Sequence, residues 1–169
     1  MEDISAPRCF HIEQRLREEL DVPIFHDDQH GTAIAVLAAV INSLNVTGRR
    51  IEDTKFVFAG AGAGGIASTK LLMDHGAKHI ILVDSVGIIS RDRTDLTAIK
   101  SSMLDSTNPG NLSGGIAEAM RGADVFIGLA AGDMVAPEMV SSMAKDPIVF
   151  AMANPIPEIW PDLAANAGA

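Results

Sequence analysis

Phe25 to Ala33 reads FHDDQHGTA and places His26, Asp27, Asp28 and His30 within five positions. These are side chains that bind metals or move protons. His26 and His30 stand four apart, as in the zinc signature H-E-x-x-H, but with an aspartate where the glutamate belongs. That signature needs both histidines on one continuous helix. Pro23 lies just before and Gly31 directly after, which points to a turn leading into a helix. In the other reading the two acids do the work and the histidines support them. Glu2-Asp3 is a second acid pair, and hard divalent cations take several oxygen ligands. Adjacent acids in a turn are otherwise an ordinary solvated loop.

A second group with chemical meaning is Gly60-Ala61-Gly62-Ala63-Gly64-Gly65. It follows the apolar run KFVFA and precedes a helical pattern, the context in which G-x-G-x-x-G binds a dinucleotide. One glycine makes the tight turn, the next lets backbone approach a pyrophosphate, and the last lets helix pack on strand. The N–H groups of the helix start then face the phosphates. Gly60, Ala61, Gly62, Ala63, Gly64, Gly65 and Ile66 are therefore candidate cofactor-binding residues. Asp84 ends the next apolar run, 19 residues after Gly65, where a carboxylate can accept from the adenine-ribose hydroxyls. Asp84 favours NAD. Ser85, Arg91 and Arg93 follow it, and the arginines could meet the 2′-phosphate of NADP, so the choice stays open.

The elements that must hold these groups follow from periodicity. Cys9 to Leu20 carries a helical apolar stripe. Val22 to Phe25 reads as a short strand. Thr32 is placed to cap a helix running through AIAVLAAVINSL. Lys55–Ala59, Ile80–Val83, Val125–Leu129 and Ile148–Ala151 are apolar without alternation, as in strands buried on both faces of a parallel sheet. Helices are expected from about Ile66 to His75, over Leu96–Leu104 and Ile116–Arg121, from Pro137, and weakly at the end. Gly87–Arg93 and Thr107–Gly115 read as loops. This alternation predicts an α/β, Rossmann-like, doubly wound parallel sheet with an N-terminal helical segment ahead of it, all in one domain over residues 1–169.

Composition narrows the function classes. The chain has 169 residues, 47% of them hydrophobic, enough for one core. Its net charge of −9 comes with no basic patch, against a nucleic-acid role. MEDISAPR carries two acids and no apolar run, so it is not a signal peptide. The longest uncharged apolar run, Ala33 to Ile41, is too short to cross a bilayer. The single cysteine, Cys9, excludes an internal disulfide and fits a reducing compartment. A soluble cytoplasmic protein with no membrane partner is the expectation.

Taken together and in order, Glu2-Asp3, PRCFHIE, FHDDQHGTA, GAGAGGIA, DSVGII, GADVFIGLAAGDMVAPEMV and FAMANPIPEI resemble the malic enzyme family in its bacterial short form. The resemblance covers essentially the whole chain. It implies oxidative decarboxylation of L-malate to pyruvate with NAD or NADP and Mg²⁺ or Mn²⁺. It implies Glu2, Asp3 and Asp28 as metal ligands, and Asp27 as a catalytic-site acid that orients a lysine. Asn154 then lies near substrate and nicotinamide, and Ala130 near the nicotinamide, where Ala130-Ala131 replaces the family's usual serine. The family's proton acceptor is a lysine and its proton donor a tyrosine, both in a preceding domain. This chain has no tyrosine. The resemblance thus implies a cofactor-binding domain truncated at both ends, inactive alone, and a dimer in the full enzyme. Two alternatives share the glycine loop and Asp84 without needing the acids. One is the dinucleotide domain of an amino-acid or folate dehydrogenase, and the other a non-catalytic NAD-binding module.

Overall fold

Strong apolar segments placed side by side build the centre of the molecule. The computed structural model describes all of residues 1–169. In chain order its elements are α1 (Arg8–Glu19), α2 (Thr32–Thr47), β1 (Lys55–Ala59), α3 (Ala63–Asp74), β2 (His79–Asp84), β3 (Gly87–Ile88), α4 (Ala98–Met103), α5 (Ile116–Met120), β4 (Val125–Gly128), α6 (Pro137–Ser141), β5 (Ile148–Ala151) and α7 (Pro161–Asn166). The five strands pair in the order β3-β2-β1-β4-β5. β1 is central, with Val57 opposite Ile81 on one side and Phe126 on the other, all parallel. The chain runs outward from β1 through β2 and β3, then returns to the far side of β1 for β4 and β5. The order of winding therefore reverses between β1 and β4, the place where α/β sheets bind ligands.

Both faces of the sheet are covered, which is why the strands show no polar alternation. Phe56, Phe58, Ile80, Leu82 and Ile127 pack under α2, α3 and α4. Val57, Val83 and Phe126 pack under α5, α6 and α7. The N-terminal segment is part of this packing. Val36, Val40 and Leu44 of α2 lie in the first core, and Phe10 of α1 packs against it. Cys9 is buried and free, a small apolar packing residue.

The structure differs from the sequence expectation at four places. Val22–Phe25 forms no strand: it has no sheet edge beside it, and Pro23 has no N–H to offer a ladder. Thr32 does not cap α2. A π-helical turn, Asp27–Gly31, runs directly into the helix, so Thr32 lies inside it and makes no capping hydrogen bond. Gly87–Ile88, expected as loop, pairs antiparallel with β2, making the sheet mixed at one edge. α3 begins at Ala63, three residues before the predicted start. Asp27–Thr47 is a continuous 21-residue helical segment, comparable to a membrane span by length and apolar composition alone. Here its inner face is held against α3 and the sheet.

Candidate functional site

The glycine loop leaves the carboxyl end of β1 at the switch point, and each glycine of the motif has a separate reason. Gly60 has φ +112°, and a Cβ there would lie 2.5 Å from Leu129 O, so only glycine lets β1 and β4 end side by side. A Cβ on Gly65 would lie 1.8 Å from Gly60 O, so α3 could not dock on the loop. Gly62 is the opposite case: a Cβ there meets nothing within 4 Å. It faces open space. The first bond along the helix runs from Ile66 N–H to Gly62 O at 3.0 Å. The N–H groups of Ala63, Gly64 and Gly65 therefore have no partner in the helix and face that space with the positive end of its dipole. Ala61 and Ile66 are buried, and the Ile66 side chain packs in the core beside the loop. A cleft of about 310 Å³ opens here, lined by Phe10, Gly60, Gly62, Asp84 and Lys100.

Asp84 reaches this cleft, but its carboxylate is already engaged. Arg93 donates to both oxygens at 2.7 and 3.2 Å, and Lys100 donates at 2.6 Å. The Val86 N–H adds a bond at 3.0 Å, and the side chain is only 7% exposed. Burial opposes its ionisation, but the hydrogen bonds from Arg93, Lys100 and Val86 outweigh burial and hold the carboxyl well below the usual range. Ribose hydroxyls would have to share this carboxylate with two cations. Ser85 is exposed in the turn after it. Arg91 points elsewhere, donating to Leu104 O and Asn108 O. Of the two arginines weighed for a 2′-phosphate, only Arg93 stands with Asp84. Lys100, from the first turn of α4, joins them, and no motif announced it.

The acidic stretch sits in the π-helical turn. Asp27 N–H donates to Met1 O at 3.0 Å, and Asp3 N–H donates to Asp28 Oδ2 at 2.9 Å. Glu2-Asp3 is thereby laid alongside Asp28. Asp27 is exposed, with its carboxyl folded over Gly31. Carboxylate oxygens suit a hard divalent cation. The three carboxylates, however, do not converge, and no three His, Cys, Asp or Glu side chains surround one point. As arranged, Glu2, Asp3 and Asp28 do not form a metal cage.

The histidines do not form a metal pair either. His26 is fully buried. The Gln29 amide lies 3.0 Å from its Nδ1 and donates to Glu13 Oε2 at 2.8 Å. The amide nitrogen can only donate, so Nδ1 accepts and the ring proton sits on Nε2. Nε2 lies 3.1 Å from Asp28 Oδ2 without hydrogen-bond alignment and has no hydrogen-bond partner. His30 Nε2 lies 2.5 Å from Glu13 Oε1, and Arg17 donates to the same oxygen. Burial alone would raise Glu13, but the His30 hydrogen bond and charge, Arg17 and Gln29 lower it below its usual range. Glu13 lay unmarked on a helix stripe. A groove of about 480 Å³ lies beside it, between α1 and α3.

Across the switch point, the segments after β4 and β5 carry Ala130 and Asn154, both exposed. Ala130 N–H donates to Glu158 Oε1 at 3.0 Å. The Asn154–Pro155 peptide is cis. Glu158 lies inside FAMANPIPEI, but the motif gave it no role.

Residues 29–160 match the family model described as malic enzyme, NAD binding domain. The chain is 54% identical over 164 residues to the NAD-dependent malic enzyme of Geobacillus stearothermophilus, covering 97% of this chain and 34% of that protein. It is 50% identical over 165 residues to an NADP-dependent malic enzyme of Rhizobium meliloti, covering 96% of this chain and 21% of that protein. The solved structure of an NAD-dependent malic enzyme from Thermotoga maritima superposes with a TM-score of 0.96 at 46% identity, over 99% of this chain and 45% of that one. The chain spans less than half the length of these relatives.

Proposed function

This chain belongs to the malic enzyme family as its dinucleotide-binding domain, and on that premise we propose that it serves the oxidative decarboxylation of L-malate to pyruvate and CO₂ with reduction of NAD or NADP. The observation that carries the reading is the glycine loop at the switch point. Gly60 and Gly65 are glycine because protein atoms crowd them, whereas Gly62 is glycine with no protein atom near it. A backbone left bare toward empty space, beside unpaired helix N–H groups, suits a pyrophosphate. The adenosine half then lies toward β2 and Asp84. The nicotinamide half lies toward β4 and β5, where Ala130 and Asn154 line its approach and Asn154 is free to bind malate.

We propose separately that Glu2, Asp3 and Asp28 hold Mg²⁺ or Mn²⁺, which in this chemistry supplies Lewis-acid polarisation of the malate hydroxyl carbon. The pairing of Asp3 with Asp28 supports this. The spread of the three acids has to close before an ion is held. Asp27 beside them is proposed to orient a catalytic lysine. Location in the cytoplasm, a homodimeric assembly, and the absence of nucleic-acid and membrane partners complete the proposal. The location and the missing partners are supported by the single buried thiol, the net charge of −9 and the sheet-packed α2, and the dimer is what the family resemblance implies.

The test is Gly62→Val. Because its Cβ meets nothing, the variant keeps its fold, with an unchanged melting temperature. NAD and NADP binding falls at least about tenfold, since the new side chain fills the pyrophosphate path. Titrations with and without Mn²⁺, on the parent and on Asp28→Asn, check the cation separately. Unchanged dinucleotide affinity in Gly62→Val would place the site elsewhere.

A further inference from the structure

We infer that Glu158 is a positioning residue that shapes the nicotinamide half of the site by clasping together the segments that follow β4 and β5. The inference rests on the dinucleotide reading and adds a residue to it.

Glu158 is 0% exposed, and no cationic side chain pairs with it. Its two oxygens go instead to two backbone N–H groups on different segments: Oε1 accepts from Ala130, after β4, at 3.0 Å, and Oε2 from Ala153, after β5, at 3.1 Å. Ala153 directly precedes Asn154. One side chain thus fixes the positions on which both Ala130 and Asn154 depend. Its own backbone closes the clasp. Val135 N–H donates to Glu158 O, and Asp133 N–H donates to Pro157 O, both at 2.9 Å.

The sheet itself is shaped to admit this carboxyl. Gly128 ends β4, and a Cβ there would lie 2.3 Å from Glu158 Cδ and 2.5 Å from each oxygen. Gly132 is open to Ile156 in the same way, with 2.7 Å to its Cβ. An acid buried without a counter-charge is costly unless hydrogen bonds satisfy it. Glutamate at this place is explained by the two N–H groups it holds. A purely apolar core residue would leave both unpaired.

Geometry separates this role from general stability. The adenosine half of the site is built from β1, α3 and Asp84, none of which hydrogen-bonds the Glu158 side chain. ADP-ribose contains the adenosine and pyrophosphate but lacks the nicotinamide, so it reports on that half alone. Glu158→Gln keeps size and shape but turns one acceptor into a donor facing a backbone N–H. The expected result is NAD binding about tenfold weaker, with ADP-ribose binding unchanged. Gly128→Ala perturbs the same clasp from the other side and is expected to show the same selective loss. Equal loss of both ligands in the two variants would make Glu158 merely structural and overturn the inference, as would unchanged NAD affinity. If the parent binds neither NAD nor ADP-ribose, the dinucleotide reading itself falls. That outcome is distinct, because it appears before any substitution is made.

Discussion

At the scale of single residues, Asp84 behaves differently from the simple ribose acceptor that its position after the glycine loop suggests. It neutralises Arg93 and Lys100, both drawn to the edge of the cleft by its own charge. The carboxylate therefore does two things at once. Beside a bound ribose it would repel a 2′-phosphate, and it occupies Lys100 and shares Arg93 with Asp95. Asp84→Ala removes the repulsion and releases Lys100, while Arg93 keeps Asp95 as its partner. NADP affinity is expected to rise relative to NAD by about tenfold, the effect of roughly one new charge-assisted contact. Paired titrations of the variant with the two dinucleotides check this. An unchanged ratio would mean that Asp84 does not face the ribose.

At the scale of elements, the polar cluster around Glu13 fastens α1 to the turn that carries the acids. Glu13 receives Arg17 from its own helix, and Gln29 and His30 from the π-helical turn. Its folded-state pKa is lowered from the usual 4.5, so the unfolded chain binds this proton more tightly. The stabilisation is therefore full above the unfolded value and is lost as pH falls through the folded one. Glu13→Gln leaves two cation-capable partners without a carboxylate. It should cost about 1–3 kcal/mol at pH 7. The penalty should shrink as pH falls below 4.5 and through the lowered folded value, where the parent loses the same charge. Urea unfolding of parent and variant across this range measures it. A penalty independent of pH would show that Glu13 acts through packing alone.

At the scale of the whole molecule, the sheet divides the site into halves. β1, α3 and β2 form the half with the phosphates and ribose, and β4 with β5 forms the half where chemistry would occur. The reaction assigned to the family also needs a proton donor, and the tyrosine expected for it does not occur anywhere in the chain. A positioned proton-transfer group is worth about 10²–10⁴ in rate. The 169-residue chain is therefore expected to bind NAD or NADP yet to show no malate-dependent reduction of either in the presence of Mn²⁺, as followed by nicotinamide absorbance. Clear metal-dependent turnover would require a donor among its own residues, with His30 and Lys70 the first to replace.

Features set by local chemistry were legible in the sequence. Four parallel strands follow from apolar runs, the half-buried edge strand β5 among them, because a parallel strand covered on both faces has no polar side to betray. The glycine loop follows from spacing, because turn, close approach and packing each exclude a Cβ at a fixed position. Pro137 marked the start of α6, since its fixed φ suits a first helical turn. Features that depend on residues far apart in the chain were decided only by the tertiary structure. Val22–Phe25 has strand-like residues but no edge to pair with. Thr32 has a capping hydroxyl but lies inside a helix that begins upstream. Asp84 meets Lys100, 16 residues later, and Glu158 meets Ala130, 28 residues earlier. Neither pair has a spacing that could signal it. A buried charge finds its partners only after the core has closed, so its role is fixed by the fold rather than by its neighbours in sequence.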